Sequence, residues 1–307
     1  MTHVLSPLRR SVTLGLALIA AAIAPTRADA PNGTHAVHIH QSGEGGIFAN
    51  AYLVETRNGV VAIDAALTDS ESKALHAQLA ALNKPLLAVL ITHGHPDHYN
   101  GVTNLVAGAK VPIVSTRGVA DVIRQHDAEK EAQWKPVFKD EWPSPRTFPT
   151  RTIANGESLA FDGVRFTVHD LGPGESHRDS IWVASAPGWS AAFIGDVVLQ
   201  GVHAYLSDGH STAWLKNIER VRGLTRGASA IYPGHGEPGG AELFDQQHDY
   251  LVAYRKKVAE LAAAGRGKLS EPEKERLEAA MLDTLKTERL RFLIKLGADP
   301  VAKELGR

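Results

Sequence analysis

Leu86-Leu87-Ala88-Val89-Leu90-Ile91-Thr92-His93-Gly94-His95-Pro96-Asp97-His98 decides how this chain reads. The run 86–91 is continuously apolar and ends against Gly and Pro, the pattern of a buried strand opening into a loop. The loop packs three histidines and one carboxylate into six residues. Imidazole is the commonest transition-metal ligand, and the carboxyl end of a strand is where α/β proteins usually place chemistry. A polar turn that happens to be His-rich is the competing reading, and clustered imidazoles without a task are uncommon.

Three further runs end the same way. Residues 164–170 lead into Leu171-Gly172-Pro173-Gly174-Glu175-Ser176-His177, residues 191–194 into Gly195-Asp196, and residues 228–232 into Pro233-Gly234-His235-Gly236. Four strand-end loops, each supplying His, Asp or Glu beside Gly, point to one shared site.

The chain has 307 residues, 43% apolar and 22% charged, enough for one large α/β domain. A net charge of −1 offers no electrostatic reason to bind nucleic acid or an anionic membrane, so a small-molecule substrate is expected. No cysteine is present, which excludes disulfides, thiolate ligands and a Cys nucleophile. Arg9-Arg10, an apolar run at 12–23 and the small residues of Ala28-Asp29-Ala30 have the order of a secretory signal peptide. The run is short for a permanent anchor, so 1–30 is expected to be a cleaved leader and the protein periplasmic or secreted. The arginine pair also raises the twin-arginine route, although its surroundings match poorly.

In the remaining chain, 31–307, strands are expected at 34–40, 51–55 and 60–64, with Arg57-Asn58-Gly59 as a hairpin turn. A helix at 69–82 is expected to be capped by Asp69, followed by a short helix from about 100, a strand at 111–114 and a helix at 118–132. Residues 134–149, rich in Pro and aromatics, read either as a lid or as a satellite cluster pinning a long connection. Strands follow at 151–153, 158–161, 164–169, 181–184, 191–194 and 228–232, with a helix at 211–221. From about 241 the chain is a helical extension, with Ser270-Glu271-Pro272-Glu273 as a helix start. Two halves of strands and helices suggest two sheets packed together with helices outside.

With these motifs in hand, the chain resembles the metallo-β-lactamase-fold hydrolase superfamily from the 51–55 strand to His235. The hallmark His-x-His-x-Asp-His stands here as His93, His95, Asp97 and His98. The later motifs map onto Gly195-Asp196 and Pro233-Gly234-His235, and Asp64 matches an early structural Asp. The resemblance implies an α/β fold, a four-layer αββα sandwich, with metals in a cleft at one edge. It assigns His93 and His95 to one metal, Asp97, His98 and His235 to a second, and Asp196 to both. The first metal's third ligand is normally a His; here Glu175 stands at that position, and His177 is the alternative if the loop bends differently. A carboxylate is an accepted Zn ligand.

Two divalent metal ions are therefore expected, Zn first, with Mn or Fe favoured to the extent that oxygen ligands suit harder cations. The implied function is a dinuclear hydrolase using a metal-bound hydroxide on a small ester, lactone, amide or sulfate ester, with Asp97 orienting the nucleophile and passing on its proton. Alternatives are a mononuclear-iron oxidoreductase resembling persulfide dioxygenases, a β-lactam-hydrolysing enzyme, or a metal-binding protein without catalysis. Leu199 and Gln200-Gly201-Val202-His203 depart from the best-known lactonase and glyoxalase II patterns.

Other residues carry weaker expectations. His35, His38 and His40 alternate along a strand, either as a second metal site or as an exposed face. Tyr99 is either an oxyanion donor or packing, and His203, Tyr205 and His210 are expected at the cleft entrance. The charged helices at 255–286 read as solvated faces or a homodimer surface.

Overall fold

A computed structural model describes residues 35–262 and 266–306. The expected leader, and the first residue of the 34–40 strand, lie outside them. Among the described residues no helix is long and apolar enough to cross a membrane.

The elements run β1 (Ala36–Gln41), a 3-10 turn (Glu44–Gly46), β2 (Asn50–Glu55), β3 (Val60–Ile63), α1 (Asp69–Ala81), β4 (Leu86–Leu90), α2 (Pro96–Tyr99), α3 (Val102–Val106), β5 (Ile113–Thr116) and α4 (Arg117–Phe138). After a second 3-10 turn (Lys139–Glu141) come β6 (Arg151–Ile153), β7 (Ser158–Phe161), β8 (Val164–Gly172), β9 (Asp179–Ala186) and β10 (Trp189–Leu199). The chain closes with α5 (Ser211–Leu224), β11 (Ile231–His235), α6 (Glu242–Leu261), α7 (Glu271–Thr284) and α8 (Phe292–Glu304). One sheet has the order β1-β2-β3-β4-β5-β6, the other β11-β10-β9-β8-β7.

Strand periodicity explains the layers. In β3, Val61 and Ile63 face the second sheet while Val60 and Ala62 face α1, α3 and α4; Leu90 and Val89 divide the same way in β4. Strands covered on both faces read as unbroken apolar runs, which is why 86–91 shows no alternation. Between the sheets Trp182, Phe166, Phe193 and Tyr232 fill the central layer. The outer face of the second sheet, with Ile181, Ala192 and Ile194, packs against α5, α6 and α8 through Trp214, Ile218, Tyr254 and Ile294. The architecture is the four-layer αββα sandwich expected.

Several local expectations are corrected. The α1 cap is Thr68, whose hydroxyl accepts from the Glu71 N–H, and Asp69 is the first helical residue, paired with Lys73. Helix α4 runs through Pro136 to Phe138, so 134–149 is not one irregular segment. Its second half is a satellite cluster: the Arg146 guanidinium lies over Trp142 and Phe148 and pairs with Asp127. Strand β10 continues past Ile194 to Leu199, and β11 starts three residues later than read. His38 and His40 do not meet at a site: His38 pairs with Glu55, and His40 is buried against Glu71, so the face is not an exposed one either. The capping box at Ser270 and Glu273 forms as read.

Trp182 both fills the central layer and donates from Nε1 to the Ile91 carbonyl (3.1 Å), joining the two sheets next to the His loop. Trp182→Ala is expected to cost about 3–5 kcal/mol, read as a lowered midpoint in denaturant unfolding.

Candidate metal centre

Segments from four strands converge at one edge of the sandwich. The His loop leaves β4; His95 precedes the single turn α2, which carries Asp97 and His98. Glu175 lies in the turn between β8 and β9, Asp196 lies within β10 just after Gly195, and His235 ends β11. Two sets of hydrogen bonds to main-chain carbonyls lock the edge. The Ser180 N–H and hydroxyl both donate to the Thr92 carbonyl (2.9 and 2.6 Å), and the Asn50 side-chain amide donates to the Pro233 and Gly236 carbonyls (3.1 and 2.7 Å).

The seven side chains form two groups, each able to hold a metal ion: His93, His95 and Glu175, and Asp97, His98, Asp196 and His235. All seven are buried. Glu175 Oε2 stands 2.9 Å from His95 Nδ1 and 3.5 Å from His93 Nε2. His98 Nε2 lies 3.2 Å from Asp97 and 3.3 Å from Asp196, and His235 Nε2 lies 3.3 and 3.4 Å from the same two. Asp196 also reaches to 4.0 Å from His93 Nε2, so it stands between the groups. His177 turns away from Glu175, its Nδ1 2.8 Å from His210 Nε2.

The surrounding hydrogen bonds decide which ring nitrogens face inward. Asp64 takes the Thr92 N–H (2.9 Å), the Thr92 hydroxyl (2.7 Å) and His98 Nδ1–H (2.8 Å). With its proton spent on Asp64, the Thr92 hydroxyl oxygen accepts from His93 Nδ1–H (3.0 Å). His95 Nε2–H donates to Asp208 (3.2 Å). His93 and His98 thus present Nε2, and His95 presents Nδ1, to the interior. Asp208 is the functional residue the sequence reading missed. It sits 113 positions from its partner in a polar turn without a motif, and no local pattern marked it.

Charge balance is severe in this volume. Burial pushes the Glu175 carboxyl up to about 8, partly offset by His95. Burial would also raise Asp97 and Asp196, yet His98 and His235 hold both well below the usual carboxylate range. Burial works against charge on His235, and Asp196 and Asp97 outweigh it, lifting the ring to about 9. His93, buried beside His98, is held well below its ordinary value. Asp97 and Asp196 are thus offset by His98 and His235, whose charged forms they favour, the role a bound cation would take. Glu175 Oε1 and Oε2, His93 Nε2, His98 Nε2 and Asp196 Oδ1 are buried with no hydrogen-bond partner among the described residues. Buried polar atoms are rarely left so, and this all-N/O donor set fits a divalent transition metal.

The metallo-β-lactamase superfamily model matches residues 45–235. The chain belongs to that superfamily. A metallo-β-lactamase from Pontibacter korlensis superposes with a TM-score of 0.57 at 20% identity, covering 75% of this chain and 99% of that one. A metallo-β-lactamase from Hirschia baltica gives 0.52 at 18%, covering 74% and 97%. A Caenorhabditis elegans relative, "Beta-lactamase-like protein 2 homolog", is 24% identical over 69% of this chain and 63% of its own length. The chain spans less than two thirds of the curated relatives it matches. The solved structures share the fold.

The remaining expectations separate. Tyr99 is buried and donates to Asp127 (2.8 Å), so it serves packing and not an oxyanion. Tyr205 and His203 line the cleft, but His203 is buried in its wall, fixed between Tyr250 and the Thr287 carbonyl, and His210, expected beside them, faces His177 instead.

A Cβ on Gly234 would fall 1.7 Å from Asp196 Oδ1. Gly234→Ala is expected to displace the Asp196 carboxylate and to cost about 1–3 kcal/mol of stability, checked by thermal unfolding and a crystal structure of the variant.

Proposed function

We propose that this protein is an exported metal-dependent hydrolase that works with two divalent ions on a small acyl compound such as an ester, lactone or amide. The observation that carries the reading is Glu175. Both its oxygens are buried, Oε2 standing 2.9 Å from His95 Nδ1 and 3.5 Å from His93 Nε2, an arrangement stable only with a cation or a proton between them. His93, His95 and Glu175 would hold one ion, Asp97, His98 and His235 the other, with Asp196 reaching both. A bound pair of divalent ions supplies Lewis acidity and lowers the pKa of a water from ~15.7 toward ~7. Four imidazoles favour Zn, and three carboxylates leave Mn or Fe open.

The chain's own groups do the rest. Asp97 lines the cleft and lies between His98 and His235, in place to orient the attacking water and to carry its proton to the leaving oxygen or nitrogen. As the water oxygen bonds to the acyl carbon, the bond to the leaving group breaks and that group takes the proton. Asp208 keeps the His95 ring oriented, and Asp179 keeps Glu175 in place by accepting the Glu175 and Ser176 N–H groups (2.7 and 3.0 Å). The order of charged, apolar and small residues in 1–30 supports export.

Elemental analysis of the purified mature protein is expected to show two equivalents of metal. Glu175→Ala should lose about one of them while His177→Ala keeps both. A single iron with oxygen consumption, or loss in the His177 variant alone, would overturn the assignment. Asp208→Asn should keep both ions but bind them roughly 10–100-fold more weakly in chelator competition.

A further inference from the structure

The groups of the metal centre open into a cleft of about 1050 Å³ whose walls are mainly apolar. One wall is the far half of α4. Lys130, Trp134, Val137 and Phe138 recur at helical spacing along a single stripe and line the cleft, and Glu141 of the 3-10 turn that follows joins them. The near half of α4 buries Val119 and Ile123 against the first sheet, so the helix packs at one end and overhangs the site at the other. A second wall is formed by Leu290 of the α7–α8 connection with Phe292 and Leu293 of the first turn of α8. That segment lies outside the 45–235 family match, so this chain's own extension shapes the cleft.

Two further observations mark the walls as a binding surface. Val137 and Phe292 are large apolar side chains left 63% and 45% exposed, and both face this cleft. Among the described residues, the large apolar side chains with a positive φ are Ile47 (52°), Phe48 (60°) and Leu290 (58°), and all three line it. A left-handed backbone is costly for such residues, and strain of this kind collects at ligand sites. Charged groups line it as well: Lys130, bonded to the Tyr205 hydroxyl (3.1 Å), is buried, while Glu44, Glu141, Glu288, Arg289 and Arg291 are exposed, the Arg289 guanidinium lying 4.7 Å over the Phe48 ring.

We infer that the cleft binds the apolar arm of the substrate, a chain or ring attached to the scissile acyl group, between the α4 stripe, the Ile47–Phe48 turn and the segment 290–293 that leads into α8. This deepens the hydrolase reading and rests on it for the position of the reacting carbon. Its occupant is a small molecule because the surface is continuous with the metal-centre groups, His95, Asp97 and Glu175 lining the same cleft.

The test uses the metal-loaded mature protein and two readouts. Calorimetric titration with unbranched carboxylates from butanoate to decanoate keeps the anionic head constant, so any trend reports the arm. Affinity is expected to rise by up to roughly three- to fourfold per methylene. Val137→Asp and Phe292→Asp, both at exposed positions, should flatten that trend while thermal melting shows each variant folded. In parallel, p-nitrophenyl esters of the same acids should show kcat/KM rising with chain length through a falling KM. Equal affinity for all lengths would overturn the inference while leaving the hydrolase reading intact. A chain-length trend in binding with no turnover of any ester would support the arm site and overturn ester hydrolysis. A dimer in light scattering that buries Val137 and Phe292, with no length trend, would name a second copy as the occupant instead.

Discussion

Glu175 is 1% exposed, and its Oε2 lies 2.9 Å from His95 Nδ1 and 3.5 Å from His93 Nε2. A carboxylate in that condition cannot stay charged unless a cation stands against it, and a neutral one forfeits hydrogen bonds it would have in water. The architecture at this edge of the sandwich serves to hold that costly group, with Asp97 and Asp196, against four imidazoles. The turn bearing Glu175 is tied to Asp179, a carboxyl that burial lifts to about 6 against the opposing pull of the Ser176 and Glu175 hydrogen bonds. Asp64, at a φ of 61°, spends its carboxylate on Thr92 and His98. Each ring is held by its outer nitrogen so that the inner one is free, His235 excepted, whose Nδ1 has no partner among the described residues.

Rigidity comes from joining the sheets where the site lies. The Trp182 indole and Ser180 reach across to Ile91 and Thr92, while Asn50 and the Tyr52 hydroxyl reach to Pro233. These bonds span large sequence separations, so the positions of His93 and His235 are set by tertiary packing and not by their own loops. Access is governed by a different part of the chain. The overhang of α4 and the α7–α8 connection decide what can approach, and they are more apolar and more exposed than the walls of the centre itself.

Much of this was legible in the residues. Apolar runs ending in Gly, His and Asp located the four strands that carry the site, and the turn at Asn58-Gly59 located the β2–β3 hairpin. The misreadings share a cause. Asp69 looked like a cap because Asp often is one, but Thr68 holds the extended backbone from which a side chain can reach Glu71 N–H. Trp134 and Phe138 looked irregular because of Pro136, yet α4 continues through it. Strand β10 seemed to end at Ile194 because Gly195 interrupts the apolar run. In fact Gly195, at a φ of 50°, bends the strand next to Thr92 and lets it carry Asp196 inward.

The order of strands and helices, the family and the seven candidate ligands follow from the sequence by itself, because periodicity, turn chemistry and a dense His-Asp motif are local and carry strong physical signals. Which nitrogen each histidine turns inward, why Glu175 and not His177 faces His93, the support of Asp208, and the apolar walls over the cleft were decided only by tertiary structure. Each depends on atoms brought within a few ångströms from distant parts of the chain, as with His95 and Asp208, 113 residues apart and 3.2 Å in contact. A hydrogen bond or a cavity wall is a property of distance and direction, and no pattern along one chain encodes either until the sheets have packed.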